Sequence, residues 1–297
     1  MTAAKLSRIL VGALLATSAA ASTVACGDDN GKGTVTVTTW GESFIEDGLP
    51  SEVFPKDHWS VKYSKFLVVY HSVTIADQNN DVAAKLDHPL VFDMTKKATG
   101  NPKTLATFEL EAKAWPNVSY QVGPISDDAT AGDLAVDADV TLLRTDQASV
   151  HVEGTATSQT GDTKTFNWSF SPATLFEGCH GQQDGKEVDG VIVTNGGNQN
   201  VELTVHGDHL FYDDLQSEEA VPRFQALADA DANQDGEVTL EELDQVPLYT
   251  IPIEKGTYGT GALGNVNTLG DYERTLSRTI GHYRGEGSCN SKEVGGQ

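Results

Sequence analysis

The stretch from Asp231 to Glu242, "DANQDGEVTLEE", carries oxygen-bearing side chains at its positions one, three, five, nine and twelve. Calcium is a hard cation that takes about six to eight oxygens at roughly 2.3 to 2.6 Å, and a chain wrapping one ion needs such a spacing. Asp231, Asn233 and Asp235 would supply side-chain oxygens from a single turn. Glu237 would offer its backbone carbonyl, Thr239 would ligate directly or through water, and Glu242 would reach back with both carboxylate oxygens. Gly236, at position six, would take the sharp bend, and Val238, at position eight, would pin the loop by a short β contact. The competing reading is an acidic surface turn that binds nothing, in a chain holding 43 Asp and Glu. A glycine at six together with a glutamate at twelve favours the ion. Starting instead at Asp229 puts Gln234 where the glycine belongs, and that register fails.

Other groupings offer less. Asp77, Asn79 and Asp81 repeat the one-three-five spacing, but Val82 and His88 stand at positions six and twelve, so this segment reads as a loop that merely looks like a site. His206 and His209 lie three apart in "VHGDHLFYDD", and neutral imidazoles at that spacing can share a transition metal. His180 follows Cys179 and His282 lies seven residues before Cys289, so pairing of those cysteines would draw two more histidines together. Surface or hydrogen-bonded histidines are the plainer reading, and a transition-metal site at His206 and His209 is the alternative. There is no HExxH, no CxxC, no GxSxG and no Walker loop. Nothing in the sequence sets a second carboxylate across a cleft from Glu42, Glu46 and Asp47, and "GHYRGEGSC" brings His282, Glu286 and Ser288 together only by proximity in sequence. The chain reads as non-enzymatic.

The Asp231–Glu242 segment resembles the EF-hand family, whose loop follows D-x-[DN]-x-[DN]-G with glutamate at twelve. The resemblance implies one Ca2+ ion, and the helical spacing of Phe224, Leu227 and Ala228 together with Pro222 and Pro247 places flanking helices at 222–230 and 239–246. It covers a small part of the chain, and no second hand is apparent. A loose similarity links "KFLVVYHSVTIAD", "WPNVSYQVGP" and "FNWSF…CHG" to the MbnP-type periplasmic copper-binding sandwiches. That resemblance implies copper, but the histidine that those proteins carry ahead of the cysteine is absent from "FNWSFSPATLFEGC".

Strand-like segments must position these residues. "TVTVTTW" from Thr34 alternates with period two, and "WSVKYSKFLVVY" places Val61 and Tyr63 on one face and Lys62 and Ser64 on the other. Residues 149–171 read as a hairpin turned by "QTGD", and "VIVTNGGNQNVELTV" as a second hairpin turned by "NGGN". No helical segment is expected between the strands, which favours a mainly β fold, an antiparallel β-sandwich with an appended EF-hand helix–loop–helix. One further helix is expected in "DYERTLSRTIGHY".

A formal charge of −23 argues against nucleic acid and against anionic lipid, both of which select clustered Lys and Arg. Lys5 and Arg8 precede the apolar run Ile9 to Ala21, the form of a secretory signal. The small residues before Cys26 resemble a bacterial lipobox, with Thr23 where an aliphatic is usual; the resemblance implies lipid on Cys26. That leaves Cys179 and Cys289, expected to pair in an oxidising compartment. The expected organisation is a signal peptide (1–25), a tether (26–33), a β-sandwich (34–214), the hand (216–247) and a C-terminal tail packed on the sandwich (248–297). The expected location is the cell envelope, on the outer membrane, its periplasmic face or the cell surface, with the membrane touched only through the lipid anchor; an unlipidated chain would be secreted.

Overall fold

Seventeen residues from Ser60 to Ala76 form the longest strand, and it is apolar on both faces along its middle. Phe66, Val68 and Tyr70 enter the main core, while Leu67 and Val69 enter a smaller one. Continuous burial of this kind requires layers on both sides of the strand. The computed structural model describes residues 31–98, 100–217 and 219–295. The expected signal segment and Cys26 lie outside those residues.

The described chain is mainly β, 43% strand against 17% helix, in several sheets. A four-stranded sheet runs in the order Gly281–Tyr283, Asn198–Val205, Lys32–Trp40, Lys103–Glu111. The path of an eleven-stranded sheet is Lys186–Asp189, Thr174–Gln183, Asn117–Val122, Ser60–Ala76, Val150–Thr157, Thr163–Phe170, Glu237–Val238, with four short strands branching from it. Val35, Val37, Val201 and Leu203 from the first sheet share one core cluster with Tyr63, Phe66, Phe166 and Trp168 from the second.

Several expectations are corrected. The pairing is not purely antiparallel: Lys32–Trp40 runs parallel to Asn198–Val205, with Thr34 opposite Asn198 and Trp40 opposite Thr204. These strands are far apart in sequence, so no tight turn dictates their sense. The hairpin expected over residues 191–205 does not form, because Val191–Ile192 pairs with Ala114–Trp115 instead. The hairpin Val150–Thr157 with Thr163–Phe170 does form, antiparallel over its whole length. A helix that the strand pattern did not foretell, Asp137–Asp146, covers the second face of the long strand through Val140 and Leu143. Its start is fixed by Asp139, whose Oδ2 accepts the backbone N–H of Val136 at 3.0 Å. The helices flanking the acidic loop are shorter than expected, Gln225–Asp229 and Leu240–Leu243. The last expected helix is Leu269–Leu276. No helix among the described residues is long and apolar enough to cross a membrane.

The C-terminal segment is woven into both sheets. Gly281–Tyr283 extends the small sheet, and Ser288–Glu293 pairs with Thr174–Gln183 in the large one. A disulfide joins Cys179 to Cys289 across a sequence separation of 110 residues. Closing a loop of that size is worth about 4 to 5 kcal/mol in the chain-entropy description. Replacing both cysteines by serine is therefore expected to lower the unfolding free energy by about that amount in a urea titration. An unchanged midpoint would contradict it.

Glu273, on the helix Leu269–Leu276, is 1% exposed, and its Oε2 has no hydrogen-bond partner. Burial pushes its pKa well above the ordinary carboxylate value, so the native state holds a proton that the unfolded chain releases. The sign follows: this contribution is fully present below the unfolded pKa and is lost as pH rises toward the folded one. Glu273→Gln is expected to raise the melting temperature at pH 8, by about 2 to 4 °C per kcal/mol gained. The gain should shrink toward pH 4; a gain independent of pH would contradict the assignment.

Candidate metal centres

The acidic loop begins where the helix Gln225–Asp229 ends. That helix is started by Asp57, whose Oδ2 accepts the N–H groups of Phe224 and Gln225 at 2.8 and 2.9 Å. Two residues of the loop take left-handed backbone, Gln234 at φ +61° and Gly236 at φ +88°. Gly236 accepts that conformation without the penalty a Cβ brings. Local hydrogen bonds set the curvature. Asn233 Oδ1 accepts from Asp235 N, and Asp235 Oδ1 from Glu237 N, both at 2.9 Å. Glu242 reaches back across the loop, with Oε1 accepting Ala232 N at 3.1 Å and Oε2 accepting Thr239 N at 3.1 Å. Thr239 Oγ1 accepts Glu242 N in return, the reciprocal arrangement that starts a helix.

Asp231 is 6% exposed. Its Oδ2 accepts Gly236 N at 3.0 Å and the ammonium of Lys164, while Oδ1 is buried with no partner. The lysine and the backbone bond hold its pKa below the ordinary value, so the carboxylate is charged. Val238 is fully buried, and Glu237–Val238 pairs in parallel with Thr165–Phe166 of the large sheet. Trp168 Nε1 donates to Val238 O at 2.8 Å. Among the described residues, Asp231, Asp235 and Glu242 do not form one group of carboxylates with an oxygen from each within 4.8 Å, so holding an ion requires the loop to tighten. The look-alike loop at Asp77 is an exposed turn, with Asp77 Oδ1 accepting from Asn79 N and Asp81 N.

A second cluster sits where the strand Asn198–Val205 ends. His206 follows that strand, His209 lies on the short helix Asp208–Phe211, and His282 is on Gly281–Tyr283, paired opposite Thr204. One nitrogen from each ring lies within 4.8 Å of the others. His206 stacks on His282 with centroids 4.1 Å apart, and His209 meets His282 edge-on at 4.9 Å. Gly207, between His206 and the short helix, packs tightly on the core: a Cβ there would stand 2.6 Å from Ile45 Cγ1. His209 Nδ1 lies 2.9 Å from Thr279 O. A carbonyl only accepts, so Nδ1 carries the hydrogen and Nε2 keeps its lone pair.

Carboxylates surround the rings. Glu42 Oε1 is 3.4 Å from His206 Nε2, and Glu42, His206 and Glu286 form a second close group. Glu42 holds φ +51°, costly backbone for a residue with a side chain. Asp208 is buried, its Oδ2 accepting from Tyr212 and its Oδ1 without a partner. Burial disfavours charge on His206, but Glu42, Asp208 and Glu286 outweigh it and hold the pKa above the ordinary value. Burial lowers His209. Burial, with the neighbouring His206 and His209, pushes His282 down to about 3. His206 and His209 were legible as a pair, whereas His282 arrives from the C-terminal segment. His180, expected nearby, instead faces Ser288 Oγ at 3.1 Å. Comparison with protein-family models, curated proteins and solved structures returns no match to this chain, so the resemblances to the EF-hand and to the copper-binding sandwiches rest on the quoted residues alone.

Proposed function

We propose that the chain is a calcium-binding, non-enzymatic exported lipoprotein, a β-sandwich whose single EF-hand binds Ca2+ chiefly for stability. The observation that carries this is Asp231: one carboxylate oxygen is tied down by Gly236 N, and the other is buried with nothing to accept from. A buried, charged oxygen without a partner is expensive, and an ion at that point relieves the cost. Asn233, Asp235, Glu237, Thr239 and Glu242 supply the remaining oxygens. The shared core of the two sheets supports the sandwich reading. Lys5, Arg8 and the residues before Cys26 support export and a lipid anchor in the cell envelope.

A stabilising role fits better than a switch. Paired sensor hands open a groove when calcium arrives. Here the loop's β contact is made to Thr165–Phe166 of the sheet, so the loop is fastened to the scaffold. The expected affinity is that of extracellular modules, with Kd on the order of 10⁻⁴ to 10⁻³ M. Lys164, placed against Asp231, contributes to that weakness by offsetting its charge.

Calorimetry is expected to show one Ca2+ per chain, abolished in Glu242→Gln; a silent titration of the wild type contradicts the assignment. With a Kd near ~10⁻⁴ M, about 1 mM calcium stabilises by about 1.4 kcal/mol, a rise of roughly 3 to 6 °C in melting temperature over chelator. Lys164→Gln is expected to bind calcium several-fold more tightly than the wild type, and the same or weaker binding would remove Lys164 from the account.

A further inference from the structure

We propose that His206, His209 and His282 form a second metal centre, for a divalent late transition ion of the Zn2+ or Cu2+ class. Imidazole nitrogens suit zinc, copper and nickel, whereas calcium selects oxygen. The two centres therefore take different ions. The inference rests on the geometry of these three rings. The copper-sandwich resemblance would have placed a histidine ahead of Cys179, and none is there.

Four observations carry it. The donor nitrogens lie within 4.8 Å of one another, and donors about 2.1 Å from a zinc ion stand up to about 4.2 Å apart across it, so binding draws the three in and turns the stacked His206 and His282 out of parallel. His206 is 9% exposed with Nε2 turned to Glu42 Oε1 at a long 3.4 Å, and His282 Nδ1 is buried without a hydrogen-bond partner. Buried ring nitrogens normally find one, so the cluster is incomplete as protein alone. His209 is already set as a ligand is, with Nδ1–H given to Thr279 O and Nε2 left free. Glu42 and Glu286 group with His206, and Asp208 is buried two residues on, so negative charge stands beside the rings to offset that of an ion.

The ligands come from three separate elements, each independently fixed. His206 N donates to Ile280 O at 2.9 Å, and Tyr63 donates to Gly207 O at 2.6 Å. The strand bearing His282 is hydrogen-bonded to Asn198–Val205. The cluster therefore sits on a scaffold formed without the ion. Three nitrogen ligands leave a coordination position for water, the arrangement found in zinc sites that are not purely structural.

The test uses the exported chain, purified without chelator or a histidine tag, with Zn2+ and Cu2+ as separate probes competed against a chromophoric chelator. One equivalent per chain is expected for the favoured ion, and Cu2+ should give an electron paramagnetic resonance signal with nitrogen splitting from several imidazoles. His209→Gln and His282→Gln should each weaken binding by about 100-fold or more, since loss of an outer-shell partner alone costs roughly 10- to 100-fold. Their melting temperatures in chelator should match the wild type, which separates loss of a ligand from loss of fold. Glu242→Gln should lose calcium and keep the transition ion, so the two sites fail independently. Uptake below one equivalent, or uptake unchanged in a His209→Gln/His282→Gln double variant, overturns the proposal and assigns any bound metal to other histidines.

Discussion

Burying both faces of the strand Ser60–Ala76 is the constraint from which the rest of the structure follows. A strand apolar on both sides must have a layer above and below, and its backbone groups must all be paired. No single neighbour satisfies so long a strand. Val150–Thr157 pairs with its first half, Asn117–Val122 with its second, and Leu90–Asp93 with its middle. Both candidate centres inherit their positions from it. Tyr63 donates to Gly207 O, which anchors the turn between His206 and His209. Val150–Thr157 in turn carries Thr163–Phe170, against which the acidic loop is fastened.

The two candidate centres differ in how the chain assembles them, and so in how far the sequence exposes them. The acidic loop is contiguous, and each candidate oxygen donor, along with the glycine, stands in a run of twelve residues. Its short β contact through Val238 was legible too, though not the partner strand, since that choice depends on which sheet edge is free. The histidine cluster draws on two distant segments. His206 and His209 announce themselves by spacing, but His282 joins them only because Gly281–Tyr283 pairs with Asn198–Val205. Pairing of Cys179 with Cys289 does not bring His180 into the cluster, because His180 lies on the strand Thr174–Gln183, facing Ser288. The carboxylates were legible only in part: Glu286 stands close to His282 in sequence, whereas Glu42 reaches His206 because the parallel strands Lys32–Trp40 and Asn198–Val205 end side by side.

Local signals were reliable for short-range pairing and poor for partner choice. Alternation on both sides of "QTGD" identified Val150–Thr157 and Thr163–Phe170, because a tight turn leaves the two strands no other neighbour first. The same logic failed at "NGGN". The turn is there, with Gly196 at φ +68°, but the strands on either side are claimed by Ala114–Trp115 and by Lys32–Trp40. Burial of Val201, Leu203 and Val205 against the main core outweighed the convenience of a hairpin. The helix Asp137–Asp146 escaped notice because its polar and β-branched residues give a weak apolar stripe, and only its contact with Val91 and Val69 turns it into a covering layer.

The loop's two-residue strand has a consequence that does not depend on any ion. Thr163–Phe170 would otherwise end the path of the large sheet with unpaired backbone groups, an open template for addition of a foreign strand. Glu237–Val238 covers Thr165 and Phe166, and Gly236 O accepts the N–H of Thr165 at 2.8 Å. The loop thus shields this stretch of the sheet's margin, the kind of edge that otherwise invites a foreign strand.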